Sequence, residues 1–595
     1  MKAILSGNEA VARGCYEYGL HVATAYPGTP STEILENVSK YPEIYAEWCP
    51  NEKVAFEVAM GATFEGARSL VAMKHVGLNV AADPFMSLSL IGAPGGLIVV
   101  SADDPGMHSS QNEQDNRYYA RFAGYPCLEP SDSQEAKDFV QQSLELSIKF
   151  DVPVMLRMTT RVCHAQSVVE LGSRSEYPVE GFRRDPQKFV VLPAHARVRH
   201  QWAVKRLARI REYAESTPLN YIENGDKKLG IITDGVAYQY VKEVMPDATV
   251  FKLGMVYPLP GEKIRSFAAG VERLMIVEEL EPFIEEQIKA GGIACEGKIY
   301  FSNLGELTPD SVENGFAEAG FLKKRKLFSV PEEVIQRPPV FCPGCPHRGI
   351  YYLLNKLKAV VTTDIGCYTL GVLPPLNAGD TCVEMGASIG VAVGMSKARG
   401  SGKGIVATIG DSTFLHSGMT GLLNAVNDNA GITIIIMDNR ITAMTGGQYH
   451  PGTGKTLMGQ PSGKADLARI CQALGASRIK VVDPYRLEDT KSVLKEEMDN
   501  ETLSIIITNR PCALYPPENR KKIKRSPFQV DLEKCIGCHA CMRVSCPAIS
   551  ESEQKTDKGN TKSQIDKLLC TGCSVCAQVC PVGAIYPAKG VDDAG

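Results

Sequence analysis

Short apolar strands alternate with helix-length segments through most of the 595 residues, and eight of the 19 cysteines crowd between Cys535 and Cys580. Together these predict a multidomain α/β chain, with parallel sheets flanked by helices, closed by a small cysteine-rich metal module. At about 100–200 residues per domain, the length implies three to five folding units. With 44% apolar and 22% charged residues there is material for several buried cores, and a net charge of −4 offers no global attraction for nucleic acid or anionic membrane. Apolar runs such as Ile432–Met437 fall well short of the roughly 18 residues a spanning helix needs. The opening Met1–Glu9 lacks a secretory apolar run. The expectation is a cytoplasmic protein with reduced thiols, no nucleic-acid partner and no membrane.

Taken in order, residues 1–161 pair strands at Val22–Tyr26 and Leu97–Ser101 with helices at Thr32–Val38 and Val54–Ala67, the pattern of a parallel α/β sheet. Residues 162–227 form a connecting segment whose basic stretch, Arg197–Arg211, reads as a solvated helix over a linker rather than a nucleic-acid face. Residues 228–330 carry strands at Leu229–Thr233, Thr249–Leu253 and Arg273–Val277, a second α/β unit without evident chemistry. A third α/β unit covers about 335–515. Residues 516–527, rich in Pro, Lys and Arg, read as an exposed linker, and 528–595 form the cysteine-rich tail.

In that tail Cys570-x2-Cys573-x2-Cys576-x3-Cys580-Pro581 follows the bacterial ferredoxin spacing, in which three clustered thiolates hold one cubane and the fourth serves the other. Upstream, Cys535-x2-Cys538-x2-Cys541-x4-Cys546-Pro547 has one extra residue before its last cysteine. Crossed ligation assigns Cys535, Cys538, Cys541 and Cys580 to one [4Fe–4S] cluster and Cys570, Cys573, Cys576 and Cys546 to the other. A zinc tail is the competing reading, because thiolates also suit zinc. Clusters move single electrons, so the domains upstream must supply or accept them.

The third unit offers a place for that chemistry. Gly404–Ile409 reads as a strand, Gly410-Asp411-Ser412 as a tight turn and Thr413–Asp428 as a helix, after which the strand Ile432–Met437 delivers Asp438-Asn439. This βαβ unit places Asp411 and Asn439 at neighbouring strand ends, where open parallel sheets bind ligands. A helix N-terminus there favours a diphosphate. Magnesium, which takes few protein oxygens beside phosphate and water, suits Asp411, the Asn439 side chain and the Ile441 carbonyl.

Gly410-Asp411-Ser412 and Asp438-Asn439 resemble, with a departure in each, the Gly-Asp-Gly turn and Asn-Asn pair of thiamine diphosphate enzymes. Glu384-Met385-Gly386 looks like the segment that lets backbone approach the cofactor in that group. The N-terminal unit is similar to the pyrimidine domain of 2-oxoacid:ferredoxin oxidoreductases: Tyr26-Pro27-Gly28-Thr29-Pro30-Ser31 matches their substrate loop, and Asn51-Glu52 followed by Gly61-Ala62 matches their activating glutamate. The resemblance implies that Glu52 activates the cofactor, with Glu57 as its rival, and that Thr29 contacts substrate. It further implies a pyrimidine domain over 1–161, a transketolase C-terminal-like middle domain over 228–330, a pyrophosphate domain over 335–515 and a two-cluster ferredoxin-like domain.

Cys342-Pro343-Gly344-Cys345, Gly366-Cys367 and Pro511-Cys512 stand in the order of the cysteines that hold a proximal [4Fe–4S] cluster in that family. The alternative is a rigid turn with reduced thiols. His347 reads either as a phosphate contact or as a structural histidine. Within the family the likeness is to the arylpyruvate-oxidising branch. It implies a smaller beta subunit, coenzyme A as co-substrate, ferredoxin as acceptor, and oxidative decarboxylation of an arylpyruvate such as indolepyruvate. A pyruvate or branched-chain oxidoreductase and a non-catalytic electron-carrier subunit are the other readings.

Overall fold

A computed structural model describes residues 1–324, 338–514 and 526–588. Two compact units divide the chain, Met1–Val330 and Pro331–Gly595. The expected linker lies outside the described residues over 516–525, as does its basic run Arg520–Arg525. Among the described residues no helix is long and apolar enough to cross a membrane.

The first unit is built on a seven-stranded sheet whose centre is parallel: Tyr45–Trp48, Val22–Ala25, Ser69–Lys74, Leu97–Asp103, Val154–Thr159 and Cys127–Leu128 lie side by side in that order. Its central strands are buried along their whole length, as β-rich runs covered on both faces should be. The sheet is not purely parallel. Met255–Tyr257, from the segment expected to belong wholly to the middle unit, adds an antiparallel edge strand against Cys127–Leu128. The middle sheet orders Arg273–Val277, Asp226–Asp234 and Ala248–Leu253 in parallel, with Asn220–Glu223 antiparallel at its edge.

The reading of Arg197–Arg211 as solvated charge is corrected in part. It forms part of the helix Pro193–Ser216, and Arg197, Lys205, Arg209 and Arg211 are exposed, but Arg199 and Arg206 serve as donors to the first domain. Arg206 is buried and donates to the Asp151 and Ser89 carbonyls, and Arg199 donates to those of Leu90 and Ile91. Trp202 stacks under both guanidinium groups, 3.7 and 4.4 Å from its ring centre. Carbonyls in the last turn of the helix Ala82–Ile91, and that of Asp151 at the end of the helix Ser133–Phe150, supply acceptors that a charge count does not reveal.

The middle domain also carries buried ions where the sequence suggested nothing. Arg117 bonds to Asp115, Asp234 and Glu278, while Arg157 bonds to Asp103 and Glu129, all shielded from solvent. Asp234 ends one strand of the middle sheet and Glu278 directly follows another, so a sequence-distant set of charges stitches it to the first sheet. Carboxylates outnumber the guanidinium groups here. Burial, with Glu129 and Glu306 adding to it, pushes the neighbouring Glu279 up to about 7 although the Leu307 amide and Arg157 oppose the shift.

The second unit centres on five parallel strands in the order Val360–Thr362, Ile405–Gly410, Thr433–Asp438, Ser504–Asn509, Ile479–Val482. The ferredoxin-like tail folds as two antiparallel pairs, Phe528–Val530 with Ile585–Pro587 and Ile549–Lys555 with Thr561–Ile565. Its Val544, Ile549, Val575 and Ile585 share one hydrophobic core with Ile350, Tyr351, Leu353 and Leu354 of the helix His347–Leu357. The tail therefore packs directly on the domain before it.

Glu279 keeps its proton in the folded chain up to about pH 7, whereas the unfolded chain loses it above about 4.5, so its contribution to stability falls as pH rises between those values. The shift corresponds to roughly 3 kcal/mol at most. Glu279→Gln is expected to flatten that slope, measured as the difference in urea midpoints between variant and wild type from pH 5 to 8.

Candidate active site

Parallel pairing of Ile405–Gly410 with Thr433–Asp438 sets Gly410 opposite Met437, so both strands end at one level. Asp411 does not sit in the expected tight turn between strand and helix. It opens a helix directly, and the expected regular helix contains a wider π turn at Phe414–Gly418 before Met419–Asn427. The buried Asp411 carboxylate accepts from the Ser412 amide at 2.8 Å and from the Arg440 amide, across the strand pair, at 2.7 Å. Arg440 takes a left-handed φ of 63°, which turns the chain so that Asn439 and Ile441 flank it. Asn439 Oδ1 accepts from the Ile441 amide at 3.2 Å. Ser412 Oγ lies 2.8 Å from Thr442 Oγ1.

Four residues of the second unit were given no role from the sequence. Asp438 lies against Asp411, and burial together with that neighbouring charge pushes it up to about 6. His450 Nε2 stands 3.3 Å from Asp411 Oδ2, with its Nδ1 accepting from the Gly452 amide. Asp364, fully buried, accepts from the Gly386 and Ser388 amides at 2.9 and 3.1 Å and so anchors the start of the helix Ala387–Arg399. Ahead of that helix Glu384 is exposed and Met385 half-buried, with Gly386 in a left-handed turn (φ 98°) where a side chain would strike Ser417. Arg348 is the fourth. The signal that could have found the acids was their position at strand ends.

His347 belongs to this cluster as well. Its Nε2 lies 3.3 Å from Asn439 Nδ2, and burial pushes it down to about 4 against the pull of Asp411, so the imidazole is neutral. Its Nδ1 is buried without a hydrogen-bond partner. Two adjacent carboxyls, an amide oxygen, the Ile441 carbonyl and this orphaned nitrogen form a donor set that fits a magnesium-bound diphosphate, since a dication would relieve the crowding of negative charge.

The cysteines of the third group converge beside it. Cys345 has Cys367 and Cys512 as electrostatic neighbours, and Cys367 has Cys512 and Cys342. The Cys512 amide donates to the Asn439 carbonyl at 2.9 Å. Burial pushes the free Cys345 thiol up to about 12 and that of Cys367 to about 11, so only ligation to a metal centre would hold them as thiolates at neutral pH.

In the tail Cys535, Cys538, Cys541 and Cys580 line one cavity, walled by Ile536, Val582 and Ile585. Cys573 and Cys576 have Cys546 and Cys570 as neighbours. The extra residue of the first motif is absorbed by a single 3₁₀ turn, Met542–Val544, followed by Ser545 in a left-handed conformation (φ 57°). Backbone amides of Phe528 and Ala584 donate to the sulfurs of Cys570 and Cys580, both at 3.3 Å, an arrangement that stabilises reduced clusters.

Within the first unit Glu52 opens the helix Glu52–Phe64, whose N-terminus is capped by Asn51 accepting from the Val54 amide at 2.9 Å. Its carboxyl is buried against Gly77, where an added Cβ would lie 2.6 Å from Oε1. Glu57 faces outward in an ion pair with Lys53. Lys74, which sequence reasoning missed, ends its strand beside Glu52 and Asp104. Burial lowers it to about 8, and its Nζ donates to the Ser109 carbonyl at 2.7 Å. Thr29 is half-buried in the neighbouring loop, its carbonyl 3.4 Å from Ser109 Oγ.

Comparison with known proteins identifies the family. Residues 364–508 match the family "Thiamine pyrophosphate enzyme, C-terminal TPP binding domain", 13–210 match "Pyruvate flavodoxin/ferredoxin oxidoreductase, thiamine diP-bdg", and 534–584 match "4Fe-4S dicluster domain". An indolepyruvate oxidoreductase subunit IorA from Pyrococcus horikoshii is 43% identical over 98% of this chain and 96% of its own. The chain belongs to the IorA family of thiamine diphosphate-dependent 2-oxoacid:ferredoxin oxidoreductases. An IorA subunit from Methanothermobacter thermautotrophicus is 41% identical over 98% of this chain and 97% of its own. A ketoisovalerate oxidoreductase subunit VorB from Methanothermobacter marburgensis is 23% identical over 48% of this chain and 88% of its own. The dicluster match favours iron–sulfur ligation over the zinc reading of the IorA-family tail.

Gly77→Ala should crowd the Glu52 carboxyl and destabilise the first unit by about 1–3 kcal/mol. Glu52→Ala in the same chain should recover most of that loss, a coupling measurable by a double-mutant cycle of thermal midpoints.

Proposed function

We propose that this chain is the catalytic subunit of an enzyme that, with a smaller partner subunit, oxidatively decarboxylates arylpyruvates such as indolepyruvate. The products are an arylacetyl-CoA, carbon dioxide and two reduced ferredoxins. The carrying observation is the backbone bond from Cys512 to the Asn439 carbonyl, which sets the candidate proximal cysteines against the candidate diphosphate site. Chemistry that releases two electrons, one at a time, needs an acceptor at that place. Similarity over nearly the full length to IorA subunits, against half-length similarity to a ketoisovalerate enzyme, favours the aromatic substrate over a branched-chain one. A merely scaffolding subunit would have no use for a carboxyl buried in a glycine cradle.

In this reading Asp411, Asn439 and the Ile441 carbonyl hold magnesium and diphosphate, and His347 and the Gly386 turn face the phosphates. Glu52 holds and moves a proton at its carboxyl, and Thr29 contacts the 2-oxoacid. Thiamine diphosphate, when bound, supplies the carbon nucleophile and electron sink. Cys342, Cys345, Cys367 and Cys512 hold a proximal [4Fe–4S] cluster, and the two crossed sets in the tail carry electrons outward to a cytoplasmic ferredoxin. Coenzyme A takes the acyl group.

The anaerobic complex should reduce a viologen dye when given indolepyruvate and coenzyme A, faster than with pyruvate or 2-oxoisovalerate. Equal or better turnover with the aliphatic acids would overturn the substrate assignment. Glu52→Gln is expected to lower kcat by about 10²- to 10⁴-fold while calorimetry still detects the bound cofactor. For the crossed sets, Cys580→Ser should remove the electron paramagnetic resonance signal of the Cys535 cluster and leave that of the Cys570 cluster. Loss of the Cys570 signal instead would show uncrossed ligation.

A further inference from the structure

Arg348 is about 1% exposed, and among the described residues no carboxylate pairs with it. Its hydrogen bonds go to backbone carbonyls on two cysteine loops. Nη2 donates to Phe341 and Cys342 at 2.8 and 2.7 Å. Nη1 donates to Val544 at 2.7 Å and to Ser545, the residue before Cys546. The same guanidinium is a charged neighbour of Cys345 on one side and Cys573 on the other. The Cys342–Cys345 loop also meets a second tail loop. Gly344, at a φ of 69°, stands where a Cβ would lie 2.1 Å from Thr571 Oγ1, between Cys570 and Cys573. Tyr485 donates to the Gly344 carbonyl while its own carbonyl accepts from Gln578 of the tail at 2.7 Å.

A buried cation with neutral partners alone is strongly disfavoured. Carbonyl dipoles solvate it in part, but the net negative charge that would balance it has to come from the groups on either side. Four thiolates around a cubane carry such charge, and Arg348 has a cysteine set on each flank.

We propose that Arg348 is a shared counter-ion for two iron–sulfur centres, the proximal one on Cys342, Cys345, Cys367 and Cys512 and the tail cluster on Cys546, Cys570, Cys573 and Cys576. It acts as a positioning residue: its fork fixes the two loops against each other, and its charge favours the reduced state of both centres. Among the described residues the hydrogen bonds of Arg348 go to Phe341, Cys342, Val544 and Ser545, and none goes to Cys535, Cys538, Cys541 or Cys580. This inference rests on the proximal cluster proposed above.

The test uses anaerobic holoenzyme as wild type, Arg348→Met and Arg348→Lys, with iron analysis and redox titration followed by electron paramagnetic resonance, signals being assigned with the Cys580→Ser variant. About twelve irons per chain are expected for three cubanes. About eight would remove the proximal cluster and the shared counter-ion together, whatever the potentials do. With twelve present, Arg348→Met should lower the reduced-to-oxidised ratio of both flanking centres about tenfold at a fixed potential, 59 mV for a one-electron couple. The Cys535 cluster should not move, and Arg348→Lys should restore most of the change. Unmoved midpoints in Arg348→Met, or a lysine variant as low as the methionine one, would overturn the proposal. Should Arg348→Met fail to retain iron, fully reduced wild type decides: the two flanking centres must show spin–spin coupling, and two isolated signals would refute their sharing one cation.

Discussion

The second unit depends on the level at which two parallel strands end. Pairing of Gly410 with Met437 brings the Asp411 carboxylate under the Arg440 amide, and that bond holds the turn which presents Asn439 and Ile441. A slip of one residue would invert the pleat and send Asp411 to the other face of the sheet. The register is defended by side chains buried on both faces, Ile409, Ile434, Ile435 and Ile436 among them, which have no alternative exposed setting. Core packing and ligand geometry are thus one constraint.

Around that turn, neighbouring parts of the fold add charges whose effects oppose one another. Asp438 and Asp411 crowd together, His347 is neutral because it is buried, and His450 approaches from the loop beyond. Such an arrangement is uncomfortable alone and well suited to a dication with phosphate oxygens. The cysteine loops repeat the theme with the opposite sign, since a buried guanidinium there is comfortable only beside anionic centres. In the second unit these opposed charges gather at the candidate diphosphate and cysteine sites.

Much of this was legible in the linear order, because the informative signals were local. Strand–turn–helix punctuation located Asp411 and Asn439, and ferredoxin spacing located the tail cysteines. The helix Thr32–Val38 and the strand Arg273–Val277 follow directly from their apolar periodicity. What escaped was non-local. Asp364 caps a helix more than twenty residues away, Lys74 meets Glu52 only through sheet pairing, and Arg117 reaches acids over a hundred residues downstream. The run Arg197–Arg211 misled because composition reports charge and is blind to the exposed carbonyls that receive it. Met255–Tyr257 joined the first sheet because its edge at Cys127–Leu128 was open, which no reading of either strand alone could register.

The core shared by the tail and the helix His347–Leu357 bears on how such an enzyme can change over time. Val544, Ile549, Val575 and Ile585 cover Ile350 and Leu354, so the tail is no detachable cartridge; replacing it with a foreign carrier would leave that helix bare. Adaptation to a different soluble redox protein is accordingly confined to outward loops, where Leu568 and Ile536 already stand 97% and 49% exposed. Selection can repaint that surface freely while the buried side stays under the control of the catalytic domain.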